Sequence, residues 1–148
     1  MNHTEVFSQD FDIIGRDFSR AGSISTKIKE VLQEIGIVSP IITRTAIAAY
    51  EAEMNVVMYA RKGKLTFTLT PDMIQIRIED EGPGIEDIEK AMQEGYSTAT
   101  HEMREMGFGA GMGLPNIRRN ADSFDIKSIP GIGTVYNIII KLNNPDKS

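Results

Sequence analysis

The segment MIQIRIEDEGPG, residues 73–84, carries a strand pattern that ends in a carboxylate and a glycine-rich turn. Ile74, Ile76 and Ile78 alternate with polar side chains, which is the period of a β-strand with one buried face. Asp80 continues the parity of these isoleucines, so the sequence predicts its carboxylate on the inner face, where the strand ends. There it could accept a hydrogen bond from an amine-bearing ring such as adenine.

Two glycines follow this carboxylate, at Gly82 and Gly84, with Pro83 between them. Glycine would let the backbone approach a flat ligand closely, while proline stiffens the turn. An ordinary turn between a strand and a helix has the same composition, and for this segment alone it is the more common explanation. The segment therefore indicates a binding site only in combination with the other motifs of the sequence.

The surrounding sequence predicts a hairpin and several helices. Upstream, Leu65, Phe67 and Leu69 alternate with threonines, and Thr70-Pro71-Asp72 turns the chain. The other predicted elements are strands over residues 6–14, 125–128 and 134–142, and helices over residues 23–35, 39–60 (with Ser39 as cap and Pro40 at the first position), 85–94 and 114–121. Paired hairpin strands favour a mainly antiparallel sheet, and helices covering one of its faces give an α+β sandwich.

The predicted helix over residues 39–60 contains EAEMN, residues 51–55, within an otherwise apolar sequence. Such a helix is largely buried, and an unpaired polar side chain in it is unfavourable. Glu51 and Asn55 lie one turn apart on the same face, whereas Glu53 falls on roughly the opposite face. The Asn55 oxygen could bind Mg²⁺ and Glu51 could accept a proton. A solvated helix edge, or pairing with other side chains, would also explain both residues.

The stretch GFGAGMGLP, residues 107–115, has glycine at every second position before a predicted helix. Repeated glycine costs chain entropy, which indicates a structural requirement. Free backbone N–H groups at the start of a helix attract anions, so the stretch suits phosphate groups. It lacks the Gly-Lys-Ser/Thr of a Walker loop and the spacing of a dinucleotide-binding fingerprint. A flexible linker is the alternative, against which the absence of serine and the apolar residues between the glycines count.

Thr134 follows Gly131-Ile132-Gly133 and shares the parity of Tyr136 and Ile138 in the last predicted strand. If those residues face inward, the Thr134 hydroxyl could reach the Asp80 carboxylate or a bridging water. A threonine at the start of a strand is more often only a strand residue.

Composition limits the class of protein. The chain has 148 residues, enough for one globular domain and too few for two. Its net charge of −5 argues against a nucleic-acid partner, and the absence of cysteine excludes disulfides and thiolate metal sites. No apolar run in the sequence suits a signal peptide or a membrane span, so we expect a cytoplasmic protein without a membrane partner.

Taken in order, these motifs resemble those of the Bergerat-fold (GHKL) ATPases: a buried helical E-x-x-x-N, then D-x-G-x-G, then G-x-G-x-G before a helix, then G-x-G-T before the last strand. The resemblance covers about residues 40–140. It implies a two-layer sandwich, with a mixed, mostly antiparallel sheet and helices on one face. It also implies that residues 1–148 form a single histidine-kinase-like ATPase domain, with flexible tails over residues 1–4 and 143–148.

The resemblance further implies ATP and Mg²⁺ as ligands. By the match of motifs, Asn55 would bind Mg²⁺, Asp80 would hold the adenine amine, and Thr134 would support the adenine site. Residues 95–106 would form a lid over the nucleotide. The other implied nucleotide-binding residues are Gly82 and Gly84 beside the base, Thr98 in the lid, and Gly107, Gly109, Ala110, Gly111, Met112, Gly113 and Leu114 at the phosphates.

Within this superfamily the chain is similar to the anti-sigma-factor class of serine/threonine kinases, and among them to the stressosome-type switch kinases. The similarity rests on NVVMYA from Asn55 onward, on DEGPGIEDIEKAMQEGYST, and on Leu114-Pro115 after the glycines. Such kinases phosphorylate a serine or threonine of a STAS-domain (anti-anti-sigma) protein, and Glu51 would be the base here. A sigma factor or a phosphatase would be a further partner, and a homodimer is one assembly open to the chain.

Three other functions fit parts of the pattern. The chain could bind ATP without turnover and act by sequestering a sigma factor or activating a phosphatase, because E-x-x-x-N also suits a pocket that only binds. A detached histidine-kinase catalytic domain is a second alternative, since HEMREM, residues 101–106, resembles a phospho-acceptor box around His101. That segment falls in the lid and lacks the usual proline, which argues against it. A free-standing ATP hydrolase would need the extra transducer domain of its relatives.

Overall fold

The computed structural model describes residues 7–95 and 113–143 of the chain. The strands in these two ranges are β1 (Phe7–Ile14), β2 (Lys62–Leu69), β3 (Met73–Glu81), β4 (Ser123–Ile129) and β5 (Gly133–Lys141). The helices are α1 (Ser23–Ile35), α2 (Ser39–Tyr59), α3 (Ile88–Ala91) and α4 (Gly113–Asn120), and a 3-10 turn spans Phe18–Arg20.

The five described strands form one sheet in the order β1-β2-β3-β5-β4, and each neighbouring pair is antiparallel. Leu65 lies opposite Ile78 in the β2–β3 pair, so the alternating apolar residues of the strands share one buried face. The other face carries exposed ion pairs such as Lys62–Glu81. One apolar and one charged face is the pattern of a sheet covered on a single side. The predicted α+β class with helices on one face is therefore confirmed.

The helical layer is centred on α2, which packs against α1 and α4 and contacts β1, β2, β3 and β5. Its buried residues are Ile41, Ile42, Thr45, Ala48, Ala49, Ala52, Glu53, Met54, Val56, Val57 and Met58. A helix that is apolar on most of its surface can be stable only when neighbours cover it, which explains its central place in the layer. Among the helices described here, none combines the length and the apolar character that crossing a bilayer requires.

The start of α2 differs from the prediction. Ser39 is already the first residue of the helix and does not cap it. The capping residue is Val38, which has an extended backbone and makes no side-chain cap. Its carbonyl accepts the N–H groups of Ile41 and Ile42, both at 3.1 Å, so the backbone alone begins the helix. Pro40 does lie in the first turn, where a missing N–H costs nothing.

The helix predicted over residues 85–94 is also shorter than expected, since only Ile88–Ala91 is helical. The Asp87 side chain accepts the Lys90 N–H at 3.0 Å, and this cap fixes the start of α3. Upstream of the cap, the Ile85 N–H donates to the Ser128 hydroxyl of β4 at 2.7 Å and holds the chain against the sheet. The other predicted helices and strands agree with the structure to within a few residues.

Candidate active site

One face of α2 presents two polar side chains to α4. Glu51 is half-buried, and its Oε2 accepts a hydrogen bond from Asn116 Nδ2 at 2.7 Å. One turn later, Asn55 is half-buried beside Gly113, the first residue of α4. A Cβ at position 113 would lie 3.3 Å from Asn55 Oδ1, so glycine gives α4 room to begin next to this amide. The start of α4 therefore contacts both polar residues of the predicted motif.

Glu53, between them in sequence, points in the opposite direction and is only 2% exposed. Its carboxylate accepts the backbone N–H groups of Gly22 at 3.0 Å, Ile24 at 3.4 Å and Ser25 at 3.1 Å. These donors lie at the start of α1, where a helix leaves N–H groups without internal partners. Burial raises the pKa of the Glu53 carboxyl, and the backbone hydrogen bonds oppose the rise. Glu53 thus joins α1 to α2 and belongs to the fold rather than to the site.

Asp80 ends the buried row of β3 and lies opposite Thr134 in the β3–β5 pair. Its Oδ1 accepts the Thr134 backbone N–H at 3.0 Å, and within the described residues no second donor pairs with this carboxylate. Burial raises the pKa of the Asp80 carboxyl, while the bond from Thr134 opposes the rise. One oxygen is thus left for a ligand donor, and the exocyclic amine of adenine is a donor of that kind.

Thr134 is buried beside Asp80, but its side chain bonds elsewhere. Its hydroxyl lies 2.9 Å from the hydroxyl of Ser128 on β4. The contact with Asp80 is therefore made by the backbone of Thr134 and not by its hydroxyl. The preceding residue must be glycine, because a Cβ on Gly133 would lie 2.0 Å from the Asp80 carbonyl oxygen.

Gly82 and Gly84 are required by contacts within the protein. A Cβ on Gly82 would lie 2.9 Å from the Ala60 Cα, just after α2. Gly84 has a φ of +73°, and a Cβ there would lie 2.7 Å from the Ile129 carbonyl oxygen. These close approaches bring the end of α2 and the β4–β5 turn against the chain that follows Asp80. Contact of the two glycines with an adenine base stays a prediction.

Tyr136 of β5 connects the strand motif with the helix motif. Burial raises the pKa of its hydroxyl, the Asp80 carboxylate adds to the rise, and Asn55 opposes it. Asp80 and Asn55 therefore both act on the same buried phenol. The two motifs, which are far apart in sequence, converge at one end of the sheet.

The residues present suit ATP and Mg²⁺ in two respects. Asp80, half-buried at the end of β3, keeps one carboxylate oxygen to which no described residue donates, as an adenine amine requires. Asn55 offers an amide oxygen beside Gly113, and Mg²⁺ accepts such a ligand while phosphates and water complete its coordination. The two sites lie at the same end of the sheet, as one nucleotide would need.

Part of the predicted site lies outside the described residues, namely Thr98, Gly107, Gly109, Ala110, Gly111, Met112 and the HEMREM segment with His101. Of the predicted phosphate-binding residues, Gly113 begins α4, and Leu114 has a buried side chain. That side chain packs in the core, so a nucleotide contact of Leu114 would have to come from its backbone.

Sequence reasoning missed Asn116 and Ser128. Asn116 is half-buried in α4, and adjacent positions of a helix do not share a face, so its buried neighbours Pro115 and Ile117 gave no signal of its contact with Glu51. Ser128 shares the parity of Phe124 and Ile126, the partly buried positions of β4, so a polar residue at the end of this apolar row was a usable signal. Both residues bond to predicted site residues.

The chain is similar to several known proteins. Among solved structures, the histidine kinase domain of the Erythrobacter litoralis EL346 blue-light activated histidine kinase has a TM-score of 0.46 and 16% identity, over 82% of this chain and 61% of that chain. The serine/threonine-protein kinase RsbT of Bacillus subtilis (strain 168) is 34% identical over 115 residues, 75% of this chain and 80% of RsbT. An anti-sigma F factor of Caldanaerobacter subterraneus subsp. tengcongensis is 32% identical over 118 residues, 80% of this chain and 75% of that protein. A sequence model of the histidine kinase-, DNA gyrase B- and HSP90-like ATPases matches residues 43–144, and the chain belongs to this family.

Proposed function

We propose that this chain is an ATP-dependent protein serine/threonine kinase of the anti-sigma type, which phosphorylates a serine or threonine of a STAS-domain (anti-anti-sigma) partner. The relatives named RsbT kinase and anti-sigma F factor support this choice. The observation that carries it is the position of Glu51. This carboxylate is held by Asn116, lies one turn from Asn55, and borders an open groove.

The groove lies between α1, α2 and α4 and has a volume of about 590 Å³. Its walls contain apolar and hydrogen-bonding side chains, namely Ser25, Thr26, Lys29, Ala46, Ile47, Tyr50, Glu51, Asn116 and Asn120. Ile47 and Tyr50 are 37% and 39% exposed, so the groove offers apolar surface to a partner. A hydroxyl side chain that enters the groove would meet the Glu51 carboxylate directly, as a phosphate acceptor must.

The proposed reaction is an in-line phosphoryl transfer. When bound, ATP supplies the phosphoryl group and Mg²⁺ offsets its negative charge. Glu51 accepts the proton of the partner hydroxyl as the new oxygen–phosphorus bond forms, and ADP leaves when the bond to the β-phosphate breaks. Asn55 would hold the Mg²⁺ and Asp80 the adenine. The chain thus contributes binding, orientation and one proton acceptor.

Nucleotide binding is tested by calorimetric titration with ATP and ADP, with and without Mg²⁺. We expect saturable binding that depends on Mg²⁺ and is weakened by Asn55→Ala, because the amide oxygen is lost. No binding at millimolar ATP would contradict the nucleotide site itself.

Phosphotransfer is tested with radiolabelled ATP and purified STAS-domain proteins of the source organism, each paired with a version whose acceptor serine is alanine. Glu51→Ala should keep its ATP affinity and lose transfer by about 10²–10⁴-fold, the usual contribution of a general base. Glu34→Ala, at an exposed position of α1, is the matched control and should leave transfer unchanged. ATP binding without transfer to any acceptor would contradict the kinase and favour a module that binds ATP and partners without turnover.

A further inference from the structure

Asn116 is the residue that hydrogen-bonds Glu51 within the described part of the chain. Its Nδ2 lies 2.7 Å from Glu51 Oε2. An ionised carboxylate only accepts hydrogen bonds, so the Asn116 amide must present its NH₂ group to it. Bonds to a charged acceptor are stronger than those between neutral groups. Within the described ranges no donor pairs with Glu51 Oε1, so one oxygen is held and the other is available.

The rest of α4 holds Asn116 in a fixed position. Asn120 Nδ2 donates to the Asn116 carbonyl at 2.8 Å, and the Ile117 side chain is fully buried. Arg44 of α2 donates to the Asn120 carbonyl at 3.0 Å and to the Asp122 carboxylate at 3.1 Å. These contacts fasten α4 to α2 without the side chain of Asn116. The Asn116 amide is therefore not needed to attach the helix, and another role explains its placement better.

The first turn of α4 sets the surroundings of both polar residues on α2. Gly113 lies beside Asn55, and Asn116 holds Glu51. A glutamate side chain has several free torsions, so without a partner it would sample many orientations. A proton acceptor works only when its oxygen lies within hydrogen-bonding distance of the acceptor hydroxyl. Fixing one oxygen of Glu51 therefore raises the fraction of molecules in which the other can act.

We propose that Asn116 is a positioning residue, whose amide fixes Oε2 of Glu51 and leaves Oε1 to take the proton of the partner hydroxyl in the groove. The inference rests on the proposed kinase function. Asn116 acts through Glu51 and takes no part in proton or phosphoryl transfer. Its loss should therefore lower turnover while leaving the binding of ATP unchanged.

The test compares Asn116→Ala and Asn116→Asp with the wild type in the phosphotransfer assay. Asn116→Ala should lower kcat by roughly tenfold to a hundredfold, the effect of losing one hydrogen bond to a charged group, with the KM for ATP within about twofold. Asn116→Asp should lower kcat further, because a second carboxylate next to Glu51 either repels it or shares a proton with it, and both impair Glu51 as a proton acceptor. A packing role predicts the reverse order, since aspartate has the shape of asparagine. This order of effects separates positioning from packing.

Asn137→Ala is the matched control, since Asn137 is another half-buried asparagine bonded to a side chain, that of Gln75, on the other face of the sheet. It should leave kcat unchanged. Thermal unfolding of all variants shows whether a loss of activity is a loss of folded protein. Two outcomes would overturn this inference but leave the kinase proposal standing. In the first, the wild type transfers phosphate and neither Asn116 variant changes the rate. In the second, Asn116→Ala loses more activity than Asn116→Asp. Absence of transfer by the wild type would overturn the kinase proposal and this inference with it.

Discussion

Glu53 of α2 is a buried carboxylate and Asp80 of β3 is a half-buried one, and the two also differ in how many donors surround them. Burial raises the pKa of each. Glu53 accepts three backbone N–H groups from the start of α1. Asp80 accepts one, from Thr134, within the described residues. The described residues therefore supply three donors to the buried acid, whereas the half-buried acid can accept further hydrogen bonds.

This difference separates a residue that the fold uses from one that suits a ligand. Burying a carboxylate is tolerated when its oxygens are hydrogen-bonded and unfavourable when they are not. Around Glu53 the fold itself meets that requirement. Asp80 is half-buried, and no side-chain oxygen of the described residues is both buried and unpaired, so water can reach its second oxygen and a bound donor would replace that water. A partly buried acid with few donors from the protein is thus a better guide to a binding site than burial or a raised pKa alone.

The largest effect is expected from Glu53→Ala. Three backbone N–H groups at the start of α1 would lose their acceptor inside the protein, at roughly 1 kcal/mol or more each. The free energy of unfolding should therefore fall by about 3 kcal/mol, measured by urea denaturation with ATP absent. Glu53→Gln keeps one acceptor oxygen and should cost less than Glu53→Ala. A cost below about 1 kcal/mol for alanine would show that water replaces the carboxylate.

The next effect is on ligand affinity, in Asp80→Asn. Asparagine can still accept the Thr134 N–H with its oxygen, but it presents an NH₂ group where an adenine amine needs an acceptor. ATP affinity measured by calorimetry should fall about tenfold to a hundredfold. Asp125→Asn, on an exposed position of β4, is the control and should bind ATP as the wild type does. Unchanged ATP affinity in Asp80→Asn would contradict the assignment of Asp80 to adenine. It would also contradict the distinction between Glu53, used by the fold, and Asp80, suited to a ligand.

Much of the fold could be predicted from the sequence, because the alternation of apolar and polar residues in a strand is a local signal. The isoleucines of β3 and the pattern of β2 fixed which side chains face inward, and the structure agrees. The hydrogen-bond partner of a polar residue could not be predicted in this way, since it depends on residues distant in sequence. The helical period placed Glu51 and Glu53 on opposite faces but did not show that Glu53 meets the start of α1.

The same limit applies within the site. The parity of β5 placed Thr134 beside Asp80, yet the bond comes from its backbone, while its hydroxyl meets Ser128. The requirement for glycine was visible at Gly84, whereas its cause, the Ile129 carbonyl, was not. Motif spacing thus selected the candidate residues, and only the packing of the sheet against α2 and α4 showed which of their atoms make contacts within the protein.

The smallest effect is on stability and its pH dependence in the nucleotide-free protein. Because burial raises the pKa of Asp80 in the folded state, ionisation of this group disfavours folding. In the wild type, the free energy of unfolding should fall as the pH rises from the ordinary aspartate pKa through the raised pKa of Asp80. Asp80→Asn lacks this ionisation and should not show that fall. At pH 7 the variant should therefore equal or exceed the wild type in free energy of unfolding, by up to roughly 0.5 kcal/mol. The difference should shrink towards acid pH, where both chains are neutral at this position. Urea denaturation at several pH values measures it, and a variant that is less stable at pH 7 would mean that the Asp80 carboxylate is already satisfied by the fold, as Glu53 is.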